Sequence, residues 1–261
     1  MDPWHTLRTF TQARIGQGSA GSAQRTDSLI DFQLAHAEAR DAVWKEWDCN
    51  GFLIQAKEQW GEALLLNSQA QTRTIYLKRP DLGRRLSTES LETLTACYTQ
   101  RYDIALIISN GLSTTAVETH ALPFLSILSE SLIGCGFRTS PVLIVPNGRV
   151  ALSDEIGTTM KSRVSLILIG ERPGLSAADS LGAYLTLSPA HGNTDAERNC
   201  LSNIREPGGL DYRTAADKIC YLTLKGLRLG VGGVSLKDDS PDDPALLGQA
   251  LRLLASGEMP S

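Results

Sequence analysis

The 261 residues are 42% apolar and 21% charged, with a formal net charge of −4. That make-up excludes a disordered chain. It also excludes a duplex-binding basic face: the densest basic stretch, Lys78-Arg79 with Arg84-Arg85, is broken by Pro80, Asp81 and Gly83.

No apolar run approaches the ~18–20 residues of a bilayer span, so no membrane partner is expected. The N-terminus lacks the pattern of a signal peptide. Cys49, Cys97, Cys135, Cys200 and Cys220 are odd in number and form no CxxC. This points to reduced thiols in a cytoplasmic protein rather than to disulfides or a zinc site.

In chain order, Trp4, Leu7 and Phe10 predict a short amphipathic start. Residues 16–21, GQGSAG, have the spacing G-x-G-x-x-G. They follow no buried strand, so a flexible connector is expected there instead of a nucleotide fingerprint. Thr26 is the expected N-cap of a helix carrying Leu29, Phe32, Gln33, His36 and Arg40 at helical spacing. A lone His36 on that helix is read as a hydrogen-bonded packing residue. Residues 76–86, YLKRPDLGRRL, are read as a loop, since Pro80 and Gly83 interrupt any regular element.

After residue 97 the pattern becomes alternating strands and helices. Ile104–Ile108, Val142–Val145 and Val164–Ile169 are continuous apolar runs, as in strands buried on both faces of a parallel sheet. Ala183–Leu187 is a fourth candidate. Between them, Val117, Ala121, Phe124, Leu128 and Leu132 mark one helix, and a shorter helix starts near Ser153. Residues 212–229 predict a last long helix with Ala216, Ile219, Cys220, Thr223 and Leu227 inward, and Ala245–Leu254 a terminal one. The expected fold class is therefore α/β: a Rossmann-like, doubly wound, mostly parallel sheet over 98–261, with a smaller, mainly helical N-terminal domain over 1–97.

In such sheets ligands sit outside the carboxyl ends of the strands. Asn110-Gly111, Asn147-Gly148-Arg149-Val150 and Gly170-Glu171-Arg172-Pro173-Gly174 should share that rim. Two readings of Glu171 stay open, an acceptor facing a ligand and a salt-bridge partner of a nearby arginine. His120 should be buried and partnered, with no chemical role. Cys200 has no evident histidine partner and reads as passive. Asp154 and Glu155 suit the first turn of a helix. There is no P-loop, no G-x-S-x-G and no metal-spaced cluster. A ligand rim without a catalytic set looks like half of something. A stand-alone nucleotide-binding oxidoreductase would need a glycine fingerprint at the rim, and none is present.

Five stretches carry a resemblance: FQLAHAEARDAV (32–43), YLKRPDLGRRL (76–86), GRVALSDEIG (148–157), LIGERPGLSAADSLGAYLTLSP (168–189) and TDAERNCLSNIR (194–205). The chain resembles the small, or light, subunit of ethanolamine ammonia-lyase from about Pro3 to Asp239. It begins close to the family's shared core, without the longer N-terminal extension tied in some enterobacterial members to bacterial microcompartment targeting.

The resemblance implies an adenosylcobalamin-dependent lyase that converts ethanolamine to acetaldehyde and ammonia. It implies a large subunit that does the chemistry and a small one, inactive alone, that covers the cofactor. An assembly of six large and six small subunits is also implied. The family's cobalamin contacts fall on Val150 of GRVALSDEIG, Glu171 of IGERPG and Cys200 of ERNCLSNIR; the first two belong to the expected rim, and Cys200 is expected to join it from a later loop. No D-x-H-x-x-G is present, and His120 lies in ETHALP, so the cofactor is expected to be base-on.

Overall fold

The computed structural model of the chain describes residues 3–97 and 100–256. Its main sheet has six strands: β1 (Ala63–Leu65), β2 (Ile104–Ser109), β3 (Val142–Ile144), β4 (Val164–Gly170), β5 (Leu181–Leu187) and β6 (Arg198–Ile204). Their spatial order is β1-β3-β2-β4-β5-β6. The first four lie parallel, while β5 runs antiparallel to β4 and β6 antiparallel to β5. Helices of eight or more residues are α1 (Thr26–Trp44), α2 (Cys49–Trp60), α3 (Thr88–Cys97), α4 (Leu122–Gly134), α5 (Leu152–Thr159), α6 (Tyr212–Leu229) and α7 (Pro244–Ser256).

The central strands are apolar on both sides because both faces are covered. Ile104, Leu106 and Ile108 of β2, with Val164, Leu166 and Leu168 of β4, pack against α2, α4 and α6. The alternate residues Ala105, Ile107, Ile167 and Ile169 pack against Leu94 of α3 and Leu152 and Ile156 of α5. Period-two alternation sends successive side chains to opposite layers, so a continuous run is the expected signature of this position. The fold is the mixed, largely parallel, Rossmann-like sheet read from the sequence.

Helix α6 shows how local signals set its limits. The Asp211 carboxylate accepts the Thr214 N–H at 2.9 Å, and Gly230 at φ 69° ends the helix in the left-handed region. Its predicted inward residues Ala216, Ile219, Cys220 and Thr223 are buried. Helix α7 lays Leu247, Ala250 and Leu254 on Tyr221 of α6, where a terminal helix was expected.

The N-terminal part departs from expectation in several ways. Thr26 is the first residue of α1 rather than its cap; Arg25 holds the cap position without a side-chain capping bond. Helix α1 buries only Ala35 and Ala42, so Leu29 and Phe32 line no core here. Before it, Ser19–Ala20 and Ala23–Gln24 form a two-residue ribbon, with no strand-to-helix junction at the GQGSAG stretch. Residues 76–86 hold the end of a short helix, Arg73–Lys78, and a 3-10 turn at Leu82–Arg84.

Residues 3–97 are mainly helical, yet they also supply β1, whose Ala63–Leu65 pair with Val142–Ile144. The division expected between residues 97 and 98 abuts Tyr98-Thr99, which lie outside the described residues.

Two topological features matter for function. After β2 the chain leaves to the α4 layer, whereas after the adjacent β3 it leaves to the α5 layer. The carboxyl ends of β2 and β3 therefore flank a crevice at a topological switch point. At the opposite side of the sheet, the start of β6 is tied to the segment around Gly233–Leu236. The Asn199 side chain donates to the carbonyls of Gly233 (3.1 Å) and Leu236 (2.9 Å) and accepts from Gly233 N–H at 2.8 Å.

Candidate functional site

The turns that leave the parallel strands interlock. Gly111 has φ +50°, and a Cβ there would stand 2.3 Å from the Gly170 carbonyl oxygen. A Cβ on Gly170 would stand 2.1 Å from the Ser113 carbonyl. Only glycine lets these two backbones come so close. Asn110 then accepts the Asn147 N–H at 2.8 Å, and Ser109 Oγ accepts the Gly148 N–H at 3.0 Å. The three expected rim segments thus share one edge and are cross-linked.

A cleft of about 760 Å³ opens on this rim. Its lining includes Val150, Glu171, Tyr184, Arg84, Arg149 and Arg172. Val150 and Tyr184 also pack on the α3/α5 side of the sheet. Arg149 sits 4.6 Å above the Tyr76 ring and donates from Nη2 to the Tyr76 carbonyl at 3.1 Å; its Nε is buried with no hydrogen-bond partner. Arg84 and Arg172 are exposed.

Glu171 is an acceptor here, not a salt-bridge partner. Its carboxylate takes hydrogen bonds from the hydroxyls of Ser180 and Ser202, the latter at 2.6 Å, and from Asn203 N–H at 3.1 Å. It lies against the Cα of Gly182, where a Cβ would stand 2.9 Å from Oε1. No ion pair reaches it among the described residues. A carboxylate has about four acceptor directions, so roughly one is left for a ligand.

Cys200 lies on strand β6, not in the loop where sequence reasoning put it. It is cross-strand from Tyr184, which lines the cleft, but Cys200 itself is not in the lining. Cys200 is exposed, yet the protein beside the thiol pushes its pKa up and the Glu171 charge adds to this, while a hydrogen bond with Tyr184 works against it. Tyr184 is raised too, by burial first and by Cys200 next. A neutral thiol is a soft contact surface rather than a nucleophile. Iodoacetamide labelling of Cys200 should therefore reach half its maximal rate at a higher pH than a model-peptide thiol. A lower midpoint would point to an activated thiolate.

His120 is buried with both ring nitrogens engaged, as expected. It sits in a π-helical turn, Val117–Ala121, ahead of α4. Nδ1 lies 2.6 Å from the Tyr212 hydroxyl and Nε2 3.2 Å from Asp179 Oδ2. The tautomer with Nε2–H donating to Asp179 and Nδ1 accepting from Tyr212 satisfies all three groups.

Asp154 and Glu155 do more than favour a helix dipole. Asp154 accepts both Nη groups of Arg198 at 2.7 Å, and Glu155 Oε2 accepts the Leu86 N–H at 2.6 Å. Among the described residues no group of His, Cys, Asp and Glu is arranged to hold a metal, no helix is long and apolar enough to cross a membrane, and all five cysteines are free. Arg172 was expected on the rim, whereas sequence reasoning missed Tyr184 and Arg84 as cleft residues. Each lies inside one of the quoted motifs, but only the fold brings those motifs together.

Comparison with known proteins gives a consistent result. Residues 1–237 match the family Ethanolamine ammonia-lyase light chain (EutC). The ethanolamine ammonia-lyase small subunit of Pseudomonas fluorescens strain Pf-5 is 46% identical over 242 residues, covering 92% of this chain and 88% of that one. The small subunit of Pseudomonas aeruginosa strain UCBPP-PA14 is 46% identical over 254 residues, covering 96% and 92%. That of Pseudomonas syringae pv. tomato is 47% identical over 242 residues, covering 92% and 84%.

Proposed function

This chain belongs to the ethanolamine ammonia-lyase light-chain family, and from that premise we propose how it serves the enzyme. It is the small subunit of an adenosylcobalamin-dependent carbon–nitrogen lyase, and it works with a large subunit on the conversion of ethanolamine to acetaldehyde and ammonia. Its own part is to cover the cofactor at the interface between the two subunits, with Val150, Glu171 and Cys200 as contacts. The observation that carries this reading is the cleft itself. Val150 and Glu171 come from different strand ends and line one hollow at the carboxyl edge.

The cleft residues fit a corrinoid, which is wide, apolar across its ring and fringed with amides. Val150, Leu112 and Ala151 supply apolar surface. Glu171 keeps an acceptor direction for an amide N–H. Arg84, Arg172 and the unpartnered Nε of Arg149 supply donors. Tyr184 and Cys200 back the cleft with a ring and a thiol that stays neutral. When bound, the cofactor supplies the radical chemistry through its cobalt–carbon bond. This chain's residues orient it and exclude water from one side, and the glycine interlock at 111 and 170 keeps that side rigid.

The cofactor is held base-on in this reading. The chain has no D-x-H-x-x-G, and His120 is enclosed between Tyr212 and Asp179. We place the chain in a cytoplasmic assembly of six large and six small subunits. Mass measurement of the complex tests the stoichiometry, and fractionation tests whether it is enclosed in a bacterial microcompartment.

The function itself is tested by equilibrium dialysis. The large subunit with cobalamin should retain the cofactor well only when this chain is added, and this chain alone should neither retain cobalamin nor deaminate ethanolamine. Unchanged retention on addition would leave the chain a purely structural subunit. Turnover by the single chain would overturn the division of labour.

A further inference from the structure

Arg73 is a buried cation that stacks over the Tyr76 ring at 5.0 Å and has no partner anion among the described residues. Only 5% of it is exposed. Its Nε donates to the Val43 carbonyl at 2.6 Å and its Nη1 to the Gly111 carbonyl at 2.5 Å. These bonds tie the end of α1 to the rim glycine. Its Nη2 is buried with no hydrogen-bond partner. The Nε1 of Trp47 is likewise buried and unpartnered. Leaving such donors unmet is costly, most of all for a charged group, so each calls for an explanation.

Both side chains line one cavity of about 320 Å³, together with Ser68, Thr72, Asn110 and Asn147. Asn110 follows β2 and Asn147 follows β3, so the cavity sits at the switch-point crevice where open α/β sheets take ligands. The polar neighbours are mostly committed. Asn110 is bonded to Thr114 and to Asn147 N–H, and the Ser68 hydroxyl reaches the Asn147 carbonyl at 2.9 Å. Among the buried side-chain atoms of the lining, that leaves an arginine N–H and an indole N–H, both groups that can only donate. Glu46 is the one carboxylate in the lining; it is exposed and makes no ion pair with Arg73 among the described residues. Burial pushes the Arg73 pKa down and the nearby Arg149 charge does the same, while Tyr76 and Glu46 oppose them. An anion would offset that penalty.

We propose that this cavity binds a small oxyanion, a carboxylate or a phosphate, through Arg73 Nη2 and Trp47 Nε1. The site is separate from the Val150/Glu171 cleft and does not depend on the cofactor assignment. The oxyanion has two sources, a free anion and a carboxylate side chain of the large subunit.

The test uses the full chain without cofactor. Its melting temperature is followed against inorganic phosphate and against acetate, with chloride at matched ionic strength as control. A saturable rise with phosphate or acetate and none with chloride is expected. Trp47→Phe keeps the ring that packs edge-on to Phe52 at 5.0 Å and removes only the N–H. It should weaken anion binding roughly tenfold. Arg73→Lys should abolish the response. The same titration on the assembled complex separates the sources. A response retained there assigns the site to a free anion, and a response lost there assigns it to a carboxylate of the large subunit; both support the site. No response in either form, or an unchanged one in Trp47→Phe, overturns it.

Discussion

Asp154→Ala should destabilise the chain by about 3–5 kcal/mol, because it leaves a buried arginine charge uncompensated. The Asp154 and Arg198 side chains are 6% and 2% exposed. Two parallel 2.7 Å bonds join them, and Arg198 also reaches Thr186 Oγ1 at 3.2 Å and the Asn193 carbonyl at 3.1 Å. Burial opposes the arginine charge, but the hydrogen bonds and charge of Asp154 outweigh it and raise the Arg198 pKa. The exposed Asp195, 3.5 Å from Nε, cannot replace a buried partner. Urea unfolding measures the loss. The double substitution Asp154→Leu with Arg198→Met should recover most of it, since paired apolar groups carry no desolvation penalty. A loss below about 1 kcal/mol in the single variant would mean that water reaches the pair. The pair joins the start of β6 to α5 beneath the cleft, so loosening it should also loosen one cleft wall.

Glu171→Ala should weaken cobalamin retention by the two-subunit complex by about 1–3 kcal/mol, or roughly 5- to 150-fold. Part of that effect is indirect. The substitution frees the hydroxyls of Ser180 and Ser202 and the Asn203 N–H, which now converge on one carboxylate. Two measurements separate the contributions. Unfolding of the chain reads the lost internal bonds, and dialysis of the complex reads the cofactor. Reduced stability with unchanged retention would make Glu171 a strut between the β4 turn and the end of β6, and would remove it from the contact set.

The sequence made the centre of this fold legible and its margins obscure, for physical reasons. Strands β2, β3 and β4 are covered on both faces, so each reads as an unbroken apolar run. Strand β1 has three residues within EALLLN, too few to distinguish a strand from a helical turn. Strand β6, RNCLSNI, has a polar, partly exposed pattern and went unread, which is why Cys200 was expected in a loop. The antiparallel direction of β5 follows from its short connection to β4, not from any residue. At the site, glycines after apolar runs located the rim. What could not be read was pairing: Glu171 with Ser202, Asp154 with Arg198, His120 with Tyr212. Each joins segments at least 31 positions apart, and nothing local records such a distance.

The amide clamp of Asn199 constrains how this subunit can meet other chains. By imitating a neighbouring strand for Gly233 and Leu236, one side chain closes the flank along which a sheet would otherwise recruit a foreign backbone. Strand addition is thereby hindered where β6 begins. The sticky surface lies elsewhere, in the N-terminal forty-four residues, where Phe10 is 82% exposed and Leu34, Ile30 and Trp44 also face outward. At the start of β6, therefore, another chain would meet partly buried amide bonds and side chains rather than a free ladder.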